Sequence, residues 1–166
     1  VRRLAAVHGM DFDELEKWYD GYQIGREPSM FNPNSVMQAV RRGRCRSFWG
    51  ATGAFDAIAG YIQMKFDGLK ENIVEMLSGG EAFVDPTGFR NDLSEIRCRD
   101  DVLTVLIHLG YLTYDWERSK CFIPNREVYI ELVNAVKSGR WTAIATALQQ
   151  SEQLLEATLR GDAALV

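Results

Sequence analysis

Residues 100–109 constrain this chain more than any other stretch. Val102, Leu103, Val105, Leu106, Ile107 and Leu109 leave almost no polar face, so a helix formed here must be wrapped on nearly every side. Gly110 stops it. Two β-prone runs, 111–115 and 120–123, then flank Trp116, Glu117, Arg118 and Ser119, the pattern of a hairpin with a four-residue tip. The apolar run is interrupted by Thr104 and His108 and is far too short for a bilayer, so no membrane-spanning segment is predicted.

The wrapping elements are legible on both sides of this helix. Upstream, Leu4 and Val7 before Gly9 read as the end of a helix with a left-handed glycine cap. A helix opening at residue 1 suggests a piece of a longer protein. Asp11 and Glu14 make a capping-box-like pair ahead of an amphipathic helix over 12–19. Asn32 and Pro33 suit the cap and first turn of a helix carrying Val36, Met37 and Val40, closed by Gly43. Apolar spacings of three and four predict helices over 55–66 and 69–77, the second stopped by Gly79 and Gly80. A short strand over 81–84, a turn over 85–88 and a helical turn over 92–96 precede the buried helix. Beyond the hairpin, Pro124 and Asn125 start a helix bearing Tyr129, Leu132, Val133 and Val136. A last helix carries Trp141, Ile144, Leu148, Leu155 and Leu159, up to Gly161. Residues 20–32, 43–54 and 85–91 read as loop-rich.

The predicted class is therefore mainly α with a small β-hairpin (α+β). Helix, short strand, helix, buried helix and hairpin is the order of a winged-helix unit, occupying about residues 67–124. The expected organisation is a helical unit over 1–66, a winged-helix-like unit over 67–137 and a linker helix over 138–166.

Charge and motif content narrow the chemistry. Nineteen Lys and Arg against 23 Asp and Glu give a net charge of −4, with no overall pull toward nucleic acid or anionic lipid. Cys45, Cys98 and Cys121 have neither disulfide-framework nor zinc-site spacing, which fits a reducing, cytoplasmic setting. The chain holds no phosphate-loop motif, no paired histidines, no GxSxG, and no acidic residue two positions before any of its five lysines. A resident metal, a bound cofactor and catalytic residues are accordingly not expected within this stretch.

Three constellations stand out. Arg41, Arg42, Arg44 and Arg46 lie within six residues with no intervening acid; they can grip phosphates, or simply lie solvated beyond the C-terminal turn of a helix. Trp18, Tyr19, Asp20, Gly21, Tyr22 and Gly25 crowd aromatics, a carboxylate and turn glycines into eight positions. Such aromatics usually anchor cores, with Asp20 the candidate acceptor for a ligand or a neighbouring domain. Trp49 and Thr52, beside Phe48 and Gly50, invite the same reading. The buried helix makes a poor DNA reader, because Asp100 and Asp101 at its N-terminus repel phosphate.

These residues also carry a family likeness. The blocks Trp18-Tyr19-Asp20-Gly21-Tyr22-x-x-Gly25, Phe31-Asn32-Pro33-x-Ser35-Val36, Phe48-Trp49-x-x-Thr52-Gly53, Leu109-Gly110-Tyr111-Leu112-Thr113 and Ile123-Pro124-Asn125-x-Glu127-Val128 resemble, in order and spacing, bacterial AAA-ATPase-like proteins with a C-terminal PD-(D/E)XK nuclease-like domain. The likeness spans residues 1 to about 137. It implies an accessory region: a helical lid over nucleotide held by an ATPase core, then a winged helix that reports nucleotide state to the nuclease-like domain. The implied partners are that core and that domain in the same chain. ATP and Mg would be bound by the core, with Arg41, Arg42, Arg44 or Arg46 contacting phosphate. The alternatives are a winged-helix nucleic-acid binder, acting through the hairpin tip and the arginines, and a protein–protein adaptor that self-associates.

Overall fold

The computed structural model describes residues 1–25, 27–49, 54–90 and 96–138. Among these, helices dominate and β structure is confined to two small antiparallel sheets, so the molecule is α+β. Helix α1 (Arg2–His8) ends on Gly9 at φ 64°, and α2 (Phe12–Tyr19) starts at Asp11, whose carboxylate accepts the Asp13 N–H at 3.0 Å. Asn32 caps α3 (Pro33–Arg42) by accepting from the N–H groups of Asn34 and Ser35, and Gly43 closes it at φ 63°.

Residues 20–32, expected to be a loop, instead contain a β-hairpin. Strand β1 (Tyr22–Ile24) pairs with β2 (Glu27–Met30), Tyr22 opposite Met30 and Ile24 opposite Glu27. Two features hide it from the sequence. The strands are short, and β2 contains Pro28, which is tolerated because both strands of a two-stranded sheet have a free edge.

Helix α4 (Ala54–Ile62) stops before Phe66, and α5 (Leu69–Leu77) follows. Strand β3 (Ala82–Phe83) leads into a single 3-10 turn (Pro86–Gly88), initiated by the Asp85 side chain accepting from Thr87. Then come α6 (Arg99–His108), β4 (Thr113–Asp115), β5 (Lys120–Phe122) and α7 (Arg126–Ser138). The hairpin partner β5 lies centrally, giving the order β3-β5-β4 with all pairs antiparallel. The tip turns on Ser119 at φ 52°, a left-handed residue that is not glycine. Across α6, residues 101–106 are all buried, as its apolar surround requires. The expected helical turn at 92–96, apart from Ile96, and the helix from 141 to 161 lie outside the described residues.

Side chains pack into two clusters. The smaller joins Ala5 of α1, Leu15 and Tyr19 of α2, and Val36, Ala39 and Val40 of α3. The larger surrounds α6 with residues from α4, α5, α7 and the three-stranded sheet. The clusters do not divide at residue 66: Ile58 and Ile62 of α4 sit wholly within the second. The reason is that α4 lies against α7, so a helix early in the chain serves the later core.

Candidate functional site

The conspicuous blocks converge on the seam between the two clusters. Two of them contribute nearby residues that face different cores. Tyr19 belongs to the first cluster and Tyr22 packs on the second; Phe48 lies against the first and Trp49 against the second. The fastening is then made by polar groups. The Tyr22 hydroxyl donates to the Gly110 carbonyl at 3.0 Å, and the Gln23 N–H donates to Thr113 Oγ1 at 2.7 Å. Burial of the Tyr22 ring pushes its hydroxyl pKa up to about 12, so it stays a donor throughout the physiological range. On the other side, the buried Tyr19 hydroxyl donates to the Arg46 carbonyl and accepts from the Arg46 N–H, both at 2.9 Å.

Glycines permit the closest approaches. At Gly21, φ is 103° and an added Cβ would stand 2.0 Å from the Pro124 carbonyl oxygen, so only glycine lets the first hairpin meet the segment before α7. Gly110, at φ 80°, lies under the Trp49 ring, which packs edge-on against Tyr111 at 4.5 Å between centroids. Asn125 turns the chain into α7 by accepting the Val128 N–H at 3.1 Å. The Arg126 guanidinium stands 5.2 Å over the Trp18 ring.

Two acids complete the seam, and neither was singled out from sequence for a role. Glu127 is fully buried; its Oε1 accepts the Phe48 N–H at 2.7 Å, while its Oε2 is buried without a hydrogen-bond partner. One turn later Glu131, 6 % exposed, accepts from the Ser47 hydroxyl. No ion pair reaches either carboxylate among the described residues. Burial raises the Glu127 pKa above the usual carboxylate range, and the neighbouring Glu131 adds to the effect. Their signal in sequence is weak: acids one turn apart, beside the apolar stripe of Val128 and Leu132.

The other expected site residues fall away from this seam or serve locally. Gly25 makes the exposed turn between β1 and β2, and Asn32 and Pro33 start α3. Thr52 lies outside the described residues. Asp20 is 9 % exposed: its Oδ2 accepts from the Ser29 hydroxyl at 2.6 Å, while its Oδ1 is buried and unpartnered.

Cations distribute unevenly. Arg41, Arg42, Arg44 and Arg46 are exposed at and beyond the end of α3, with no carboxylate at ion-pair distance among the described residues. Arg42 and Arg46 both stand over the Phe48 ring, at 5.5 and 5.2 Å. At the second hairpin the opposite holds. Arg118 forms a two-pronged pair with Glu81, which also takes Lys120 at 3.2 Å. At the start of α6, Arg97 is bound to Asp101 and Arg99 to Asp100. A DNA-reading surface on α6 and the hairpin would first have to give up these pairs.

No family model matches the chain, and neither a curated protein nor a solved structure shows similarity to it. Among the described residues no helix is long and apolar enough to cross a membrane, and no group of three His, Cys, Asp or Glu side chains is placed to hold a metal.

Proposed function

We propose that this chain is a regulatory joint: a helical lid and a winged-helix unit, fastened together, within an ATPase of the kind its sequence blocks resemble. The observation that carries this reading is the seam. Gly21, Tyr22, Trp49, Gly110 and Tyr111 are spent on joining two cores, so a displacement of the first unit is passed to the second through these contacts. Arg41, Arg42, Arg44 and Arg46, without an ion pair among the described residues, suit phosphate oxygens. In this reading ATP and Mg sit on an ATPase core outside these residues, and the arginines offset phosphate charge from the lid side. The winged-helix unit packs on protein and relays the change toward a nuclease-like domain.

The test uses a protein that joins this chain to its ATPase core. Replacing the four arginines by Gln should weaken ATP binding at least tenfold, read by equilibrium titration with a fluorescent ATP analogue. Unchanged affinity overturns the lid assignment. The same arginines favour one rival, nucleic-acid binding by the isolated chain. Retention on DNA at low salt that is lost steeply as salt rises, and abolished in the same variant, would support that rival instead.

A further inference from the structure

Glu127 stands where the two units meet. It is fully buried on α7, and its Oε1 accepts the Phe48 N–H at 2.7 Å. Its Oε2 is buried without a hydrogen-bond partner, and so is the hydroxyl of Ser35 on α3, which lies beside it. The acid sits on a helix of the second core and the hydroxyl on a helix of the first.

The groups around Glu127 bring no positive charge to it. Tyr19 from α2 and Tyr22 from β1 are phenols whose ionisation burial pushes upward, and Cys45, beside Tyr19, has its thiol pushed up to about 11. Glu131, one turn along α7, is a second acid, nearly buried. The other helices against α7, α4 and α5, meet it through apolar core residues. The exposed Arg46 and Arg126 guanidiniums stand over the Phe48 and Trp18 rings, and no ion pair reaches Glu127 among the described residues. A carboxylate sealed in this way and held by one N–H carries a large desolvation cost. Protonation removes the charge and adds an O–H donor. The Ser35 hydroxyl can serve either form, donating to a carboxylate or accepting from an acid, and the cost of the buried charge favours the second.

We propose that Glu127 is a proton-operated latch between the two units. Neutral, its Oε2–H donates to the Ser35 hydroxyl and ties α7 to α3. When the proton leaves to water that bond is lost, and α1–α3 open while α6 stays closed. The folded-state pKa is raised, so the latch is fully closed below the ordinary glutamate value and is lost as pH rises through the folded midpoint. The proposal rests on the seam as a joint between two units and not on the ATPase assignment, so unchanged ATP affinity in the arginine variant leaves it standing.

The test reads the proton and the opening separately, on the 166-residue chain. Carboxyl NMR with isotope-labelled glutamate should show Glu127 titrating above the ordinary value of about 4.3. Amide protection factors, from which the intrinsic pH dependence of exchange is removed, should fall in α2 and α3 by up to about tenfold per pH unit between that value and the folded midpoint, then level off, with α6 unchanged. Glu127→Gln, a permanently neutral donor, should abolish this pH step. Ser35→Ala supplies the sign: losing an acceptor for the neutral acid moves the Glu127 midpoint down by about one pH unit, whereas losing a donor to the carboxylate moves it up. The latch is overturned if Glu127 titrates at or below the ordinary value, if the midpoint rises in Ser35→Ala, or if the pH step survives in Glu127→Gln. Should Ser35→Ala fail to fold, the Glu127→Gln profile decides alone.

Discussion

The two cores of this molecule differ in kind. The second encloses residues 101–106 of α6 and draws on four helices and a sheet, whereas the first rests on six buried side chains from three short helices, with partly buried ones around them. A cluster of that size cannot offset the chain entropy of forty-odd ordered residues. The first unit therefore depends on the seam for its order, and the second does not. The lesson is that the conspicuous residues between the units are structural necessities of the weaker partner, whatever else they do.

The comparison can be broken most severely from the strong side. Leu103→Ala, at a fully buried position of α6, should cost about 2–5 kcal/mol, and hydrogen exchange should accelerate in both units together, because the first loses its support. Continued protection of α2 and α3 in a molten second unit would show the first to be self-sufficient. A seam lesion should have the opposite pattern. Gly21→Ala forces a Cβ against the Pro124 carbonyl and should cost about 2–4 kcal/mol, with exchange faster in α1–α3 and unchanged in α6.

The buried acids give the comparison a pH axis. Glu127 has a folded pKa raised by burial, so its contribution to stability is fully present below the unfolded carboxylate value and is lost as pH rises through the folded one. Glu127→Gln, which keeps an oxygen for the Phe48 N–H, should therefore stabilise the chain near pH 8 and change little near pH 4. Denaturant melts at the two pH values would settle it; equal effects at both would mean that folding does not raise the Glu127 pKa. Smaller still, Tyr22→Phe removes the hydroxyl held by Gly110 and should cost about 1 kcal/mol, leaving the Gly110 carbonyl to find another donor. Least of all, Arg118→Ala at the exposed hairpin tip should leave the denaturant midpoint essentially unchanged, even though it breaks two contacts with Glu81.

Much of the architecture was legible in one dimension. Glycines at 9 and 43, the Asn32-Pro33 start of α3, the all-round apolar α6 and the four-residue hairpin tip act through local geometry and periodicity, which a sequence displays directly. The hairpin at 22–30 escaped because its strands are three and four residues long, with a proline in the second, and gain their order by lying against Thr113. The role of Glu127 escaped for a related reason: an acid is read as exposed until a distant backbone N–H, here that of Phe48, gives it a buried partner.

The amino-acid order alone thus determined most of the helices, the second hairpin and the glycine-closed ends of α1 and α3, since those choices depend on residues within one or two turns of each other. Tertiary structure decided which core α4 serves, why Gly21 has no substitute, and where Glu127 and Glu131 are hidden without an ion pair among the described residues. Each of those depends on contacts between residues tens of positions apart, and their energies are set by burial, which no local pattern encodes.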